Sequence, residues 1–250
     1  MSDPFAPVYL LHGWAANHHV FDPLHHTMPA AIRAAWHAPD LPGHGAAAFN
    51  GHFDLAATAD ALAAEIRTPA HVVGWSLGGL VALYLAARHP EKVQTLCLCA
   101  SFAKFQAAAD YPEGLSQPAL AKMLALFGQD YHKYLRQFIE LQLLYVPQRR
   151  ERLAEVMPQL TQYGAPVALA AALDVLSEAD ARPLLAQIHC PVLLVYGDKD
   201  SITPPRMGAY LHRHLHHSRM EIIHQAAHAP FLSHPAEFSA LLTQFWHTHP

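Results

Sequence analysis

Along most of the chain, short apolar runs alternate with longer stretches of helical period. Residues 8–11, 71–74, 93–100, 191–196 and 220–223 read as strands, with 34–38 a weaker candidate. Helical stretches lie at about residues 55–66, 77–88, 205–215 and 235–247. The strands are apolar at nearly every position rather than at every second one. That pattern predicts a mostly parallel central sheet flanked by helices on both faces, an α/β fold. One stretch breaks the rhythm. Residues 102–180 hold no convincing strand, and a helical pattern runs through them, punctuated by Pro112, Pro118, Pro147, Pro158 and Pro166. The expected organisation is an α/β core from residues 1–101 and 181–250, with residues 102–180 inserted as an all-helical cap over one edge of the sheet.

Composition narrows the class. With 250 residues, 52% apolar and 14% charged, the chain reads as one core-rich domain carrying an insertion. A formal net charge of −4 offers no overall basic field, so nucleic acid is not an expected partner. No apolar run reaches the length of a membrane span, and no basic segment precedes the short apolar stretch near the N-terminus. Three cysteines, Cys97, Cys99 and Cys190, are too few for a disulfide framework. Cys97 and Cys99, two apart on a strand, are expected to face one side as buried thiols. A cytoplasmic monomer is the expectation.

The chemistry is concentrated in a few short segments. Gly74-Trp75-Ser76-Leu77-Gly78 follows an apolar strand and precedes a helix, the context that a Gly-x-Ser-x-Gly nucleophile elbow requires. At the helix N-terminus the dipole favours an alkoxide-like Ser76. A serine nucleophile needs a base, and the base an orienting carboxylate, in the chain order Ser, Asp or Glu, His. Asp198 and Asp200 both stand just past the strand at 191–196, and either could serve. His228 stands in a small-residue loop past the strand at 220–223 and is the expected base. His224 lies too close to the strand, and His234 opens the last helix. Acyl transfer also needs donors for an oxyanion. The N–H of Leu77 is one; the N–H of Trp14, in the loop after the first strand, is the expected second, with Gly13 letting the backbone turn inward.

Together, His12-Gly13-Trp14, Asp40-Leu41-Pro42-Gly43-His44-Gly45, the elbow at 74–79, Gly197-x-x-Asp200-x-x-x-Pro204 and His228 resemble the α/β-hydrolase superfamily over residues 8–246. The resemblance selects Asp200 as the acid. Within the superfamily, residues 10–14, 74–82 and 226–238 are similar to the BioH-type pimeloyl-[acyl-carrier protein] methyl ester esterases of biotin synthesis. By that resemblance Trp14, Ser76, Leu77 and His228 touch the acyl group. So would Phe138, Ile139, Glu140, Leu141 and Gln142 in the cap. No cofactor and no metal are implied. The chain departs from the family in three places. Gln137 stands where the family has an arginine, the turn at 43–47 reads Gly-His-Gly-Ala-Ala, and with seven residues before the first strand the opening hairpin is expected to be missing. A sheet of roughly six or seven strands is therefore expected.

The implied carrier protein is acidic and calls for a basic surface. Lys133, Arg136, Arg149, Arg150 and Arg152 fall between residues 131 and 152, with Glu140 and Glu151 the acids among them. They are the candidate docking patch, Arg offering a bidentate fork to carboxylate or phosphate. The 21 histidines include His212 and His216, spaced to share a helix face, but no metal-binding spacing completes them; a surface helix end is expected. Most of His18, His19, His25 and His26 are expected to face solvent. Two other readings compete with the carrier-linked esterase. One is a carrier-free short-acyl esterase, lactonase or C–C hydrolase with the same triad. The other is a non-catalytic ligand-binding protein on this fold, against which stands the full set of triad residues.

Overall fold

The computed structural model describes residues 5–146 and 148–249; Pro147, named above among the prolines of the insertion, lies outside them, as do residues 1–4. Among the described residues six strands form one sheet: β1 (Val8–Leu11), β2 (Trp36–His37), β3 (Ala70–Trp75), β4 (Val93–Cys99), β5 (Val192–Gly197) and β6 (Ser218–Ile223). Their order is β2-β1-β3-β4-β5-β6, and every neighbouring pair is parallel. The continuous apolar strands are explained by two cores. Tyr9, Leu11, Val72, Leu96, Leu98, Leu194 and Tyr196 point into one; Val8, Leu10, Val73, Leu193 and Val195 point into the other, with both Cys97 and Cys99. Successive strand residues face opposite sides, so a sheet covered on both sides must be apolar throughout.

Helices α1 (Leu55–Glu65), α2 (Leu77–Arg88), α7 (Pro205–His214) and α8 (Pro235–Thr248) accompany the sheet. The chain runs outward from β1 to β2, then returns past β1 to β3. Loops leaving β1 and β3 thus diverge at the carboxyl edge, the place where open parallel sheets bind ligands.

Between β4 and β5 the chain leaves the sheet. The expectation of helix from residue 102 fails for the first part. Residues 101–116 form a folded loop in which Gln106 pairs with Leu115 and Ala108 with Tyr111. Four helices follow: α3 (Gln117–Gln129), α4 (Tyr131–Gln142), α5 (Arg149–Thr161) and α6 (Leu169–Glu178). The two ends of the insertion meet, with Ala181 N–H donating to Ala103 O at 2.7 Å. Pro158 does not interrupt α5; near the helix end it removes one N–H and the chain continues to Thr161. Two histidine expectations also change. Helix α7 ends at His214, so His216 does not share its face, and His212 Nδ1 lies 2.8 Å from Ser218 Oγ. His18, His19 and His25 are half-buried and His26 alone of the four is exposed, the rings of His18 and His19 lying on Asp40 and Asp22. Among the described residues no helix is long and apolar enough to cross a membrane, and no three His, Cys, Asp or Glu side chains are grouped to hold a metal ion.

His71 in β3 is buried beside the rings of Phe5 and Trp246, its Nδ1 2.8 Å from Thr95 Oγ1. Burial, and less strongly the charge of His249, push its pKa down to about 4. An unfolded histidine takes up its proton near ~6.5. Between those values the unfolded chain binds more protons, so stability rises with pH. Urea unfolding is expected to show stability falling as pH drops from ~6.5 toward ~4, with His71→Gln reducing that slope by up to about 1.4 kcal/mol per pH unit. An unchanged slope in the variant would contradict a buried neutral imidazole.

Candidate active site

Ser76 occupies the single-residue turn between β3 and α2. Its backbone is left-handed, with φ 54° and ψ −116°. For a residue with a side chain this costs about 1–3 kcal/mol and persists where the surroundings fix it. They do so here through Ser76 N–H, which donates to Cys99 O at 3.1 Å, and Ser101 Oγ, which donates to Ser76 O at 3.2 Å. A Cβ at Gly78 would collide with the carbonyls of Leu11 and His12, and one at Gly74 with Gly79. The glycines of the elbow are thus demanded by close backbone approach. Leu11 pairs with Gly74, so that approach sets the Gly13–Trp14 segment beside Ser76.

Asp200 follows β5 and is buried. Its Oδ1 accepts from the N–H groups of Ile202 (2.8 Å) and Thr203 (3.0 Å). Its Oδ2 lies 2.9 Å from His228 Nδ1. Burial alone would raise the Asp200 pKa, but the His228 charge, its hydrogen bond and the Thr203 hydroxyl and amide outweigh it, and the net shift is downward. Asp198, the other aspartate of the loop, is drawn instead to Lys199 at 3.3 Å and the exposed His224 at 3.5 Å. The His228 loop is held from two sides. Trp75 Nε1 donates to His228 O at 2.7 Å, and Ala229 N–H donates to Gln142 Oε1 at 3.2 Å.

Ser76 and His228 open into one cavity of about 30 Å³, together with Gly13, Trp14 and Trp75. Its remaining walls are Phe102, Phe105, Phe127, Phe138, Leu176 and Ile202, all apolar. Among the described residues, the backbone N–H groups of Trp14 and Leu77 are engaged in no backbone hydrogen bond. The Trp14 ring is tied down separately, Nε1 donating to Leu169 O at 2.8 Å.

The five consecutive cap residues do not share this cavity. Phe138 lines it; Ile139 is buried in the core; Glu140 and Leu141 lie on the outer side, Leu141 being 60% exposed; Gln142 is buried against the His228 loop. At 3.6 residues per turn, five in a row circle the helix and cannot all face one way. The basic residues are similarly divided. Arg136 lies 3.8 Å from Glu140, and Arg152 is 2.9 Å from Glu155. Lys133 is exposed over the Tyr134 ring. Arg149 and Arg150 line a surface cavity of about 300 Å³ between α4 and α5, beside Leu141 and Leu144.

Thr203 escaped the sequence reading. Its fully buried hydroxyl lies 2.7 Å from Asp200 Oδ2, 2.9 Å from Ala100 O and 3.0 Å from His228 Nδ1. Its place three residues past Asp200 was the available signal. Thr203→Val keeps the volume and removes the one hydroxyl proton that Asp200 Oδ2 and Ala100 O share, leaving one of these buried acceptors short of a donor. It is expected to raise the Asp200 pKa, read from the carboxyl ¹³C shift, and to lower stability by about 1–3 kcal/mol. Thr203→Ser should recover most of both effects; a Val variant equal to the parent in both would refute the role.

Comparison with known proteins follows the same lines. A family model described as alpha/beta hydrolase fold matches residues 6–235. The pimeloyl-[acyl-carrier protein] methyl ester esterase of Neisseria meningitidis serogroup C / serotype 2a is 57% identical over 245 residues, covering 98% of this chain and 95% of the relative. The protein of the same name from Chromobacterium violaceum is 39% identical over 241 residues, covering 96% and 94%. Among solved structures, the esterase of Exiguobacterium antarcticum matches with a TM-score of 0.85 at 22% identity, covering 96% of this chain and 91% of its own. At that identity the likeness speaks for the fold alone.

Proposed function

The chain belongs to the α/β-hydrolase fold family, and from that premise we propose that it is a serine carboxylesterase cleaving the methyl ester of a pimeloyl group carried on acyl carrier protein. The observation that carries the substrate is the name shared by relatives matching nearly the whole chain, insertion included. The observation that carries the chemistry is the 2.9 Å contact of Asp200 with His228, on a cavity His228 shares with Ser76.

In this reading Ser76 Oγ attacks the ester carbonyl as His228 takes its proton. Asp200 holds the imidazole with its proton on Nδ1 and stabilises the imidazolium. The N–H groups of Trp14 and Leu77 receive the oxyanion. His228 then protonates methanol as it leaves, and afterwards activates the water that hydrolyses the acyl-enzyme. The products are methanol and the pimeloyl carrier with a free carboxyl group, which ends chain synthesis for biotin. Residues 102–180 act as the cap over the acyl chain. Arg149 and Arg150, unlike the paired Arg136 and Arg152, present their charge beside exposed Leu141 and Leu144, and we take that pair as the centre of the carrier surface. The compartment is the cytoplasm, consistent with three free thiols. A carrier-free esterase is favoured by one observation, the neutralisation of two of the five basic residues within the cap itself.

Ser76→Ala is expected to lower turnover by more than about 10³-fold with stability little changed. The substrate is tested by offering methyl pimeloyl-carrier protein and free dimethyl pimelate and following loss of methyl by mass spectrometry. A kcat/KM more than about tenfold higher for the carrier-bound ester is expected, and the advantage should shrink in Arg149→Glu/Arg150→Glu while free-ester cleavage persists. Equal rates on the two esters would leave the carrier-free reading.

A further inference from the structure

The Asp40-Leu41-Pro42-Gly43-His44-Gly45 turn has no part in the reaction as written, yet it packs against the loop after β1. His12 joins the two. Its ring is fully buried and both nitrogens are engaged. Leu41 N–H donates to His12 Nε2 at 2.9 Å, so that nitrogen carries no proton. Nδ1 lies 2.9 Å from the carbonyl oxygen of Gly13 and must be the donor there. The turn that presents the Leu41 N–H is itself fixed by Asp40. Its Oδ1 accepts from His18 N–H at 2.8 Å and lies 3.0 Å from His18 Nδ1, and its Oδ2 accepts from Ala46 N–H at 2.9 Å.

Gly13 C=O and Trp14 N–H are the two ends of one peptide unit. No described peptide is cis, so the two groups point in opposite directions. Holding the oxygen therefore aims the N–H. We propose that His12, kept in its Nδ1–H tautomer by the Leu41 N–H, is the positioning residue that aims the Trp14 N–H at the oxyanion. This rests on the reading of Trp14 as an oxyanion donor. Three titratable groups face the ring. His44 has its ring 5.4 Å away, Asp40 Oδ1 is 3.7 Å from Nε2, and His18 shares that carboxylate. Burial first, then the His44 charge, keeps the His12 imidazole neutral, as the two hydrogen bonds require. The same oxygen also accepts from Ala16 N–H, at a longer 3.3 Å; without the shorter His12 bond that contact alone restrains the peptide, since Gly13 adds no side-chain barrier to its rotation.

Replacements separate the two ring nitrogens. His12→Asn keeps an N–H at the Nδ1 position. His12→Gln keeps an acceptor at the Nε2 position and nothing that donates to Gly13. With a methyl ester, kcat in His12→Gln is expected to fall about 10²–10³-fold at nearly constant KM, with His12→Asn recovering to within about tenfold of the parent. Affinity for a trifluoromethyl ketone, which binds as an oxyanion, should fall in parallel with kcat. A folded His12→Gln with parental kcat, or a loss confined to KM, would overturn the proposal. The unmodified enzyme gives an independent test: ¹⁵N-histidine spectra must show His12 protonated on Nδ1, and an Nε2–H tautomer overturns the assignment even if every variant fails to fold. Undiminished turnover in Ser76→Ala would instead remove the acyl-transfer reading, a result distinct from any His12 outcome.

Discussion

Ser76 carries a side chain on a backbone conformation that favours glycine, and the ends of four strands are arranged to hold it there. The first turn of α2 presses against the carbonyls at the end of β1, which is possible because Gly78 has no Cβ. That contact sets the Gly13–Trp14 segment at the elbow. The end of β4 supplies Cys99 O and Ser101 Oγ to the Ser76 peptide groups. The loop after β5 reaches back through Thr203 to Ala100 O, tying Asp200 to the strand that supports Ser76. Asp200 and Ser76 are far apart in sequence but share one backbone scaffold, so the strain at a single residue is resisted by the whole carboxyl edge of the sheet.

The helical insertion is part of that scaffold rather than a separate roof. Side-chain hydrogen bonds join it to three residues of the loop after β1. Trp14 Nε1 donates to Leu169 O, Tyr131 OH to Ala15 O at 3.1 Å, and Asn17 Nδ2 to Leu160 O at 3.2 Å and Gln159 O at 3.4 Å. Another, from Ala229 N–H to Gln142 Oε1, reaches the loop of His228. The loops that carry the proposed oxyanion donor and the proposed base are therefore each fastened to the inserted helices.

Much of this was legible in the sequence, for a physical reason. The strands, the elbow at 74–79, the loop of Asp198 and Asp200, and the loop of His228 are each set by residues adjacent in the chain: apolar runs, obligatory glycines, carboxylates just past a strand, between which only the family resemblance chose. What stayed hidden depends on contacts between distant segments. The run Phe138–Gln142 reads as one unit in sequence, but helix geometry sends its members to different surroundings. The charge of the basic stretch looked free because its neutralising partner Glu155 lies just beyond it. Phe102, Phe105 and Phe127 reach the cavity from a loop and a helix whose packing no local pattern announces. Thr203 and His12 matter through hydrogen bonds that cross from one loop to another.

The apolar cavity has a consequence for what happens once the bond is cut. The proposed reaction begins with an uncharged ester and ends with a carboxylate beside Ser76, where the Trp14 and Leu77 N–H groups proposed for the oxyanion can still reach one of its oxygens, while the phenylalanine, leucine and isoleucine walls offer no hydrogen bond. A carboxylate taken from water and only partly re-paired is held at a disadvantage. In that reading the product charge sits less comfortably in the cavity than the neutral ester it came from, and water outside competes for it. The apolar walls thus favour release of what the proposed reaction makes.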